Sequence, residues 1–141
     1  MTLLDHVLVP VASEADAEAT VAALAPHLDE VSRVTAVHVI EKGGGAIDKA
    51  PLEKRREDAA EYLAVVEVRL GADVAVDTRT DYGTDVVVTL FEAAEDVGAT
   101  ALVFRPRSGS RIVRLLTGDT ATRLTTDPAV PVVSLPDPER E

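Results

Sequence analysis

Residues 93–136 read AAEDVGATALVFRPRSGSRIVRLLTGDTATRLTTDPAVPVVSLP, and this stretch decides the fold. A helix ends at Gly98, and an apolar run typical of a buried strand follows at residues 99–104. An Arg-rich segment then leads to a short helix at residues 119–126 and to a second strand-like run at residues 130–135. Two strands joined through a helix predict a parallel pair with a crossover connection.

The chain before this stretch repeats the same alternation. Three further strand-like runs lie at residues 6–11, 34–40 and 73–78, and helical segments follow each of them. The order βαβαβαβαβ predicts an α/β domain with one open parallel five-stranded sheet and helices on both faces. At 141 residues the chain is the size of one domain, which we place at residues 1–141.

Helix signals fix the predicted helices more closely. Ser13 and Asp16 match a capping box, and Pro26 must kink or end the helix that they start. The second helix spans about residues 51–70 and the third about residues 84–97. Apolar stripes at helical spacing are expected to face the core, at Ala17, Val21, Leu24 and Leu28, at Ala59, Leu63, Val66 and Leu70, and at Val87, Leu90, Phe91, Ala94 and Val97.

Composition and charge exclude several classes of protein. The chain has no Cys, which removes disulfides and thiol catalysis, and three isolated His leave little for a metal site. No apolar run is long enough for a membrane helix and no signal peptide is seen, so we expect a soluble, cytoplasmic protein. The net charge of −11 argues against a nucleic-acid partner. This acidic net charge together with a content of only three Lys is typical of a halophilic acidic protein. The alternative interpretation is an ordinary acidic protein.

Ligands bind open parallel sheets beyond the carboxyl ends of the strands, which points to loops at residues 10–13, 40–45, 78–83 and 105–118. No nucleophile elbow or Walker A sequence occurs in them. Asp77 and Asp81 could act as acid and base, although solvated turn carboxylates are the commoner interpretation. For His38, inside a strand, we favour a hydrogen-bonded structural role, and we assign none to His6 or His27.

The most unusual segment is residues 105–123, which hold five Arg and one acid. Their local charge is +4, against −15 for the remainder of the chain. Guanidinium forks bind phosphate or carboxylate, and the segment feeds a helix N-terminus, which is a ready anion site. Two hypotheses stay open at this point: a small-anion site at Arg105 and Arg107, or Arg side chains paired with acids elsewhere on the surface.

These residues make the chain resemble the universal stress protein family. HVLVPVASEADAEA (residues 6–19) is similar to that family's first strand and helix, VTAVHVI (residues 34–40) to its second strand, and residues 93–136 to its C-terminal signature. The resemblance covers the whole chain. It implies a Rossmann-like sheet of order 3-2-1-4-5, of the adenine nucleotide alpha hydrolase type. The last strand then lies at an edge, which suits Pro131.

The resemblance also implies where a ligand would bind. Nucleotide-binding members carry G-x2-G-x9-G-[ST] after strand four and an Asp after V-P-[VT]. Aligned on Gly118, this chain has Arg105 and Ser108 at the two earlier Gly positions, Asp119 at the [ST] position and Ala12 at the Asp position. The candidate pocket comprises Pro10, Val11, Ala12, Val39, Ile40, Arg105, Arg107, Ser108, Gly109, Gly118, Asp119 and Thr120.

Four of the five motif positions are thus altered, which predicts that the standard ATP site is lost. We expect a non-enzymatic protein of the stress response that acts as a regulatory or interaction module. The alternative is an ATP- or AMP-binding member with weak hydrolysis or autophosphorylation. The family commonly dimerises through its last strand, antiparallel to its copy, which implies a homodimer whose interface is formed by Val130, Val132, Val133, Ser134 and Leu135.

Overall fold

The computed structural model describes residues 2–41, 52–105 and 118–136. Its five strands are β1 (His6–Pro10), β2 (Arg33–Glu41), β3 (Ala75–Gly83), β4 (Ala101–Phe104) and β5 (Val132–Ser134). Its α-helices are α1 (Glu14–Leu24), α2 (Leu52–Leu70), α3 (Val86–Val97) and α4 (Gly118–Thr126). A 3₁₀ helix (Ala25–Glu30) follows α1.

The strands form one parallel sheet in the order β3-β2-β1-β4-β5. The expected order and the edge position of the last strand are therefore confirmed. In the register of the central strands, Val7 of β1 lies beside Val34 of β2 and Ala101 of β4. Because β1 and β4 are interior strands, their side chains are buried on both faces, which explains their uninterrupted apolar sequences.

Two apolar layers cover the sheet. The layer beneath α1 and α2 includes Leu63 and Val66, and the opposite layer, beneath α3 and α4, includes Leu90 and Leu124. Strand β5 contributes to both layers, because successive side chains of a strand point to opposite faces. Val130 and Val132 pack on the α3–α4 side, whereas Val133 and Leu135 pack on the α1–α2 side.

The helix signals in the sequence act as expected. Ser13 caps α1, and α1 gives way to the 3₁₀ helix just before Pro26. Gly98 ends α3 with a φ of 73°, a left-handed conformation that glycine adopts without a Cβ penalty. The predicted apolar stripes are buried, except that Leu28 and Val97 at the helix ends are only partly so.

The prediction for the third strand is wrong in its extent. We expected a strand at residues 73–78 and a ligand-prone loop at residues 78–83, but β3 continues to Gly83 and pairs with β2 along its whole length. The physical reason is that β3 is an edge strand with mostly exposed or half-buried side chains, so its sequence is polar like that of a loop. The strands predicted at residues 99–104 and 130–135 begin at Ala101 and Val132 in the structure, two residues later than expected.

Candidate functional site

From β1, the chain adds β2 and β3 on one side of the sheet and then adds β4 and β5 on the other side of β1. The crossover from β1 to β2 runs through α1 on one face, and the helix that leads into β4 is α3 on the other face. The carboxyl ends of these two strands, at Pro10 and Phe104, therefore form a topological switch point. Ligands of open α/β sheets bind at such an edge, so this is the candidate site.

Most of the apolar residues assigned to this site lie beneath its surface. Pro10 is buried, and the side chains of Val11, Val39 and Ile40 are 0%, 5% and 2% exposed. Val11 belongs to the α1–α2 layer and Val39 to the α3–α4 layer. These residues shape the floor of the switch point, whereas Ala12 and Arg105 are partly accessible at its rim.

Asp16 ties down the loop after β1. Ser13 Oγ accepts a hydrogen bond from the Asp16 N–H at 3.1 Å, as in a capping box. The returning bond differs from the expected motif: Asp16 Oδ2 accepts from the N–H of Ala12, at 2.8 Å, one residue before the cap. The Asp16 residue is fully buried, so a carboxylate lies directly behind the candidate site.

His38 braces the same loop from the second strand. Its Nδ1–H donates to the carbonyl of Val11 at 2.8 Å, and its ring packs edge-on against Tyr62 of α2 at a centroid distance of 5.3 Å. Burial is the main cause that lowers the pKa of His38, so the imidazole is neutral at neutral pH. The structural role that we favoured for His38 agrees with this geometry.

Arg105 follows β4 directly, at the carboxyl end of that strand. Its Nε is buried and has no hydrogen-bond partner in the described part of the chain. Arg107, Ser108 and Gly109 lie outside the described residues. Gly118, Asp119 and Thr120 form the first turn of α4, so the segment does lead into a helix N-terminus.

Arg123, at the far end of the Arg-rich segment, is engaged with an acid. Its Nη2 lies 2.9 Å from Oδ2 of Asp85, the residue that caps α3. The same carboxylate accepts from the N–H of Val88 at 3.2 Å. Of the two hypotheses for the Arg-rich segment, ion pairing therefore applies to Arg123, while Arg105 makes no ion pair with any described residue.

Asp77 and Asp81 are not the turn carboxylates that we expected, since both lie within β3. Asp77 pairs with Arg33 of β2, and Asp81 receives two hydrogen bonds from Arg79, at 2.8 and 3.1 Å. Each carboxylate is thus held by a guanidinium. This arrangement favours ion-pair stabilisation of the edge strand over acid–base chemistry.

The sequence did not reveal a groove at the opposite end of the strands. It is lined by polar residues of β1, β2 and β3, among them His6, Thr35 and Arg79. The sequence carries little signal for it, because residues 77–81 (DTRTD) are polar at every position and show no alternation of a strand. We had assigned part of that run to a loop.

No three acidic or His side chains within residues 2–41, 52–105 and 118–136 come together as ligands for a metal ion. In the same ranges, none of the helices has both the length and the apolarity needed to cross a membrane.

An open parallel sheet of order 3-2-1-4-5, with a ligand-prone edge between β1 and β4, defines an α/β protein of the Rossmann-like class. The model of the universal stress protein family matches residues 4–136, and the chain belongs to that family.

Solved structures with the same fold include several universal stress proteins. The Burkholderia pseudomallei family member is 24% identical, with a TM-score of 0.72 over 95% of this chain and 97% of that one. The Archaeoglobus fulgidus protein in complex with dAMP is 17% identical, with a TM-score of 0.63 over 95% and 99%. A universal stress protein in complex with cAMP is 18% identical, with a TM-score of 0.65 over 94% and 97%. No curated protein is similar enough to count as a relative.

Proposed function

We propose that this universal stress protein is a non-enzymatic, homodimeric regulatory or interaction module of the stress response that lacks the standard ATP site. The observation that carries the proposal is at Ala12, where nucleotide-binding members have an Asp. Ala12 offers no side chain to a ribose, and its N–H is already bonded to the buried carboxylate of Asp16.

The sequence after β4 supports the loss. Glycine lets the backbone approach phosphates without a Cβ in the way, and Arg105 and Ser108 stand at two of the three Gly positions. Asp119, in the first turn of α4, adds a carboxylate where the family has a hydroxyl. A carboxylate close to a triphosphate repels its negative charge.

The buried Nε of Arg105 supports a small anion as the remaining ligand of the switch point. A buried N–H without an acceptor costs about 1–3 kcal/mol, and an oxyanion that reaches it would recover that energy. Inorganic phosphate or sulfate is small enough to bind without a ribose contact. On this proposal, Arg107 supplies a second guanidinium to the same anion.

Binding of an adenine nucleotide, with weak hydrolysis or autophosphorylation, is the second candidate function. The observation in its favour is that two structures of similar fold are described as complexes with dAMP and with cAMP. A monophosphate avoids part of the repulsion from Asp119, which makes AMP the nucleotide to compare with ATP.

Thermal unfolding with and without nucleotide separates the two functions. A ligand present at 100 times its Kd stabilises the folded state by about 2.7 kcal/mol, a shift that is easily measured. We expect no shift of the melting temperature with Mg-ATP or AMP, and a shift with phosphate that Arg105→Ala removes. Arg69→Ala is the matched control, because Arg69 lies on α2 and contacts Glu18 on α1.

A gain-of-function variant makes the test sharper. Ala12→Asp combined with Asp119→Ser restores two altered motif positions and should raise the ATP-dependent shift above that of the natural chain. A clear shift of the unaltered protein with ATP or AMP, or nucleotide retained through purification, would establish the second function instead.

A further inference from the structure

A groove of about 470 Å³ opens at the amino-terminal ends of β1, β2 and β3, at the opposite edge of the sheet from the switch point. It lies on the α3 face of the sheet, because Val97 at the end of α3 forms one wall. Thr35 of β2 forms part of its floor, two residues before Val37, which packs in the α3–α4 layer. The groove therefore shares no residue with the candidate site described above.

An adjacent pair of opposite charges lines the groove. Arg33 of β2 donates through Nη1 to Oδ2 of Asp77 on β3, yet the two side chains remain 47% and 57% exposed. The other guanidinium N–H groups of Arg33, and Oδ1 of Asp77, bind no described residue. The pair thus presents free donors and a free acceptor side by side.

The second cation of the groove is already neutralised. Arg79 donates to Asp81 and, through Nη2, to Asp96 of α3 at 3.3 Å. The hydrogen bonds to Asp81 are the largest of the causes that raise the pKa of Arg79, so the guanidinium stays charged and fixed. The carboxyl end of α3 beside Val97 adds partial negative charge, which disfavours an anion at this end of the groove.

The floor of the groove is polar and uncharged. His6 Nε2 lies 2.8 Å from Thr35 Oγ1, and Thr35 is 2% exposed. Burial, followed by the charge of Arg33, lowers the pKa of His6, so the imidazole is neutral at neutral pH. The other ring nitrogen of His6, Nδ1, makes no hydrogen bond with a described residue, so it can bind a polar group of a ligand.

We propose that this groove binds a free α-amino acid, with the carboxylate on Arg33 and the ammonium group on Asp77. An isolated anion on Arg33 would be repelled by the neighbouring Asp77, and an isolated cation on Asp77 would be repelled by Arg33. The pair therefore favours neither kind of ion. A phosphate-bearing ligand would in addition approach the partial negative charge at the carboxyl end of α3, beside Val97. The α-amino acid head carries its ammonium and carboxylate groups on one carbon atom, which matches the Arg33–Asp77 pair, and its side chain would lie between His6 and Val97.

The test is an NMR titration of nitrogen-labelled protein with each of the twenty standard amino acids at constant ionic strength. We expect at least one to give saturable shifts at the amides of residues 33–35 and 77–79. For that amino acid, the N-acetyl derivative lacks the ammonium group and the amide derivative lacks the carboxylate; each should bind about tenfold more weakly, the effect of one charge-assisted hydrogen bond.

Variants then assign the two charges. Arg33→Gln and Asp77→Asn should each weaken binding about tenfold without unfolding the protein, since both side chains are exposed. Arg69→Gln, which breaks the exposed contact with Glu18, should leave the affinity unchanged. The proposal is overturned if no amino acid gives saturable shifts up to about 10 mM. It is also overturned if the derivatives bind as well as the parent, or if the control variant loses affinity equally.

Discussion

The guanidinium of Arg123 in α4 donates to the Asp85 carboxylate that caps α3, with Nη2 2.9 Å from Oδ2. This bond is the main cause that holds the pKa of Asp85 below its ordinary value of 3.8. A carboxyl whose folded pKa is lowered stabilises the fold above 3.8, and that contribution is lost as the pH falls through the lower folded value. The contact therefore links α3 to α4 throughout the neutral range.

The cap should matter more than the ion pair at this position. Asp85→Ala removes both, and loss of an N-cap costs about 1 kcal/mol, or about 4 °C of melting temperature for a chain of this size. Asp85→Asn keeps a side-chain oxygen for the Val88 N–H and loses only the charge, so it should cost a few tenths of that. Circular dichroism melts at pH 7 measure the difference; equal losses in the two variants would contradict this order.

His38 makes the fold sensitive to mild acid. Because burial lowers its folded pKa, the unfolded chain takes up a proton first as the pH falls below the ordinary value of 6.5. The free energy of unfolding should be constant above that value and should decline between 6.5 and the lower folded pKa.

Urea unfolding at pH values from about 7.5 to about 5.5 measures this decline. His38→Gln keeps an N–H that can reach the Val11 carbonyl but does not titrate, so its slope should be smaller. The decline should not vanish, because the pKa of His6 is lowered as well. An unchanged slope in the variant would show that His38 is not the group that titrates.

Salt should stabilise the protein because its net charge is −11 and screening reduces repulsion among carboxylates. Glu95, exposed in the last turn of α3, is unfavourably placed, since the helix terminus is itself negative and that turn contains no basic residue. We expect the melting temperature to rise with KCl toward about 2 M.

Glu95→Gln provides the matched variant for this prediction. It should be more stable than the natural chain in dilute buffer and nearly equal to it in molar KCl, because screening removes the difference between the two. A melting temperature that does not change with KCl would contradict the halophilic interpretation and leave the fold unaffected.

Helices and buried strands could be predicted from the sequence because their signals are local. On α2, the four stripe residues from Ala59 to Leu70 recur at helical spacing and are all buried. The extent of β3 could not be predicted in this way, because an edge strand exposes its side chains and carries no continuous apolar run. Only pairing with β2, a tertiary property, distinguishes residues 79–83 from a loop.

The candidate site was predictable in position but not in detail. The order of the sheet places residues 10–12 beside the end of β4, as the rule for parallel sheets requires. The bond from Ala12 to Asp16 depends on a one-residue shift of the capping motif, which spacing alone does not show. The groove at Arg33 and Asp77 depends on registry between neighbouring strands, which a single sequence does not encode locally.

Assembly through β5 depends on the backbone groups that this strand leaves unpaired at the edge of the sheet. The N–H of Leu102 donates to the Pro131 carbonyl, and the N–H of Leu135 donates to the Phe104 carbonyl, each at 2.8 Å. Backbone groups alternate between the two sides of a strand, so those of Val132 and Ser134 point away from β4, toward the edge of the sheet. Two donors and two acceptors are thus available for an antiparallel copy of the same strand.

We predict a homodimer that forms through this edge, with the partly exposed Val130, Val132 and Val133 adding apolar contact beside the backbone bonds. Leu135, which the sequence also assigned to the interface, is buried in the core of the single chain. Val132→Pro should shift it toward monomer, because it deletes an edge donor without touching a bond to β4. Val133→Lys should do the same by placing a charge among apolar side chains, at a greater cost to the fold.

Ser134→Ala is the matched control for the dimer, since the Ser134 side chain is exposed and the variant keeps every backbone donor. Sedimentation at about 100 µM in moderate to high salt should find the natural chain and this control as dimers, and Val132→Pro as a folded monomer by circular dichroism. A monomeric natural chain under these conditions would exclude the β5 dimer. A Val132→Pro variant that remains dimeric would place the interface on another surface.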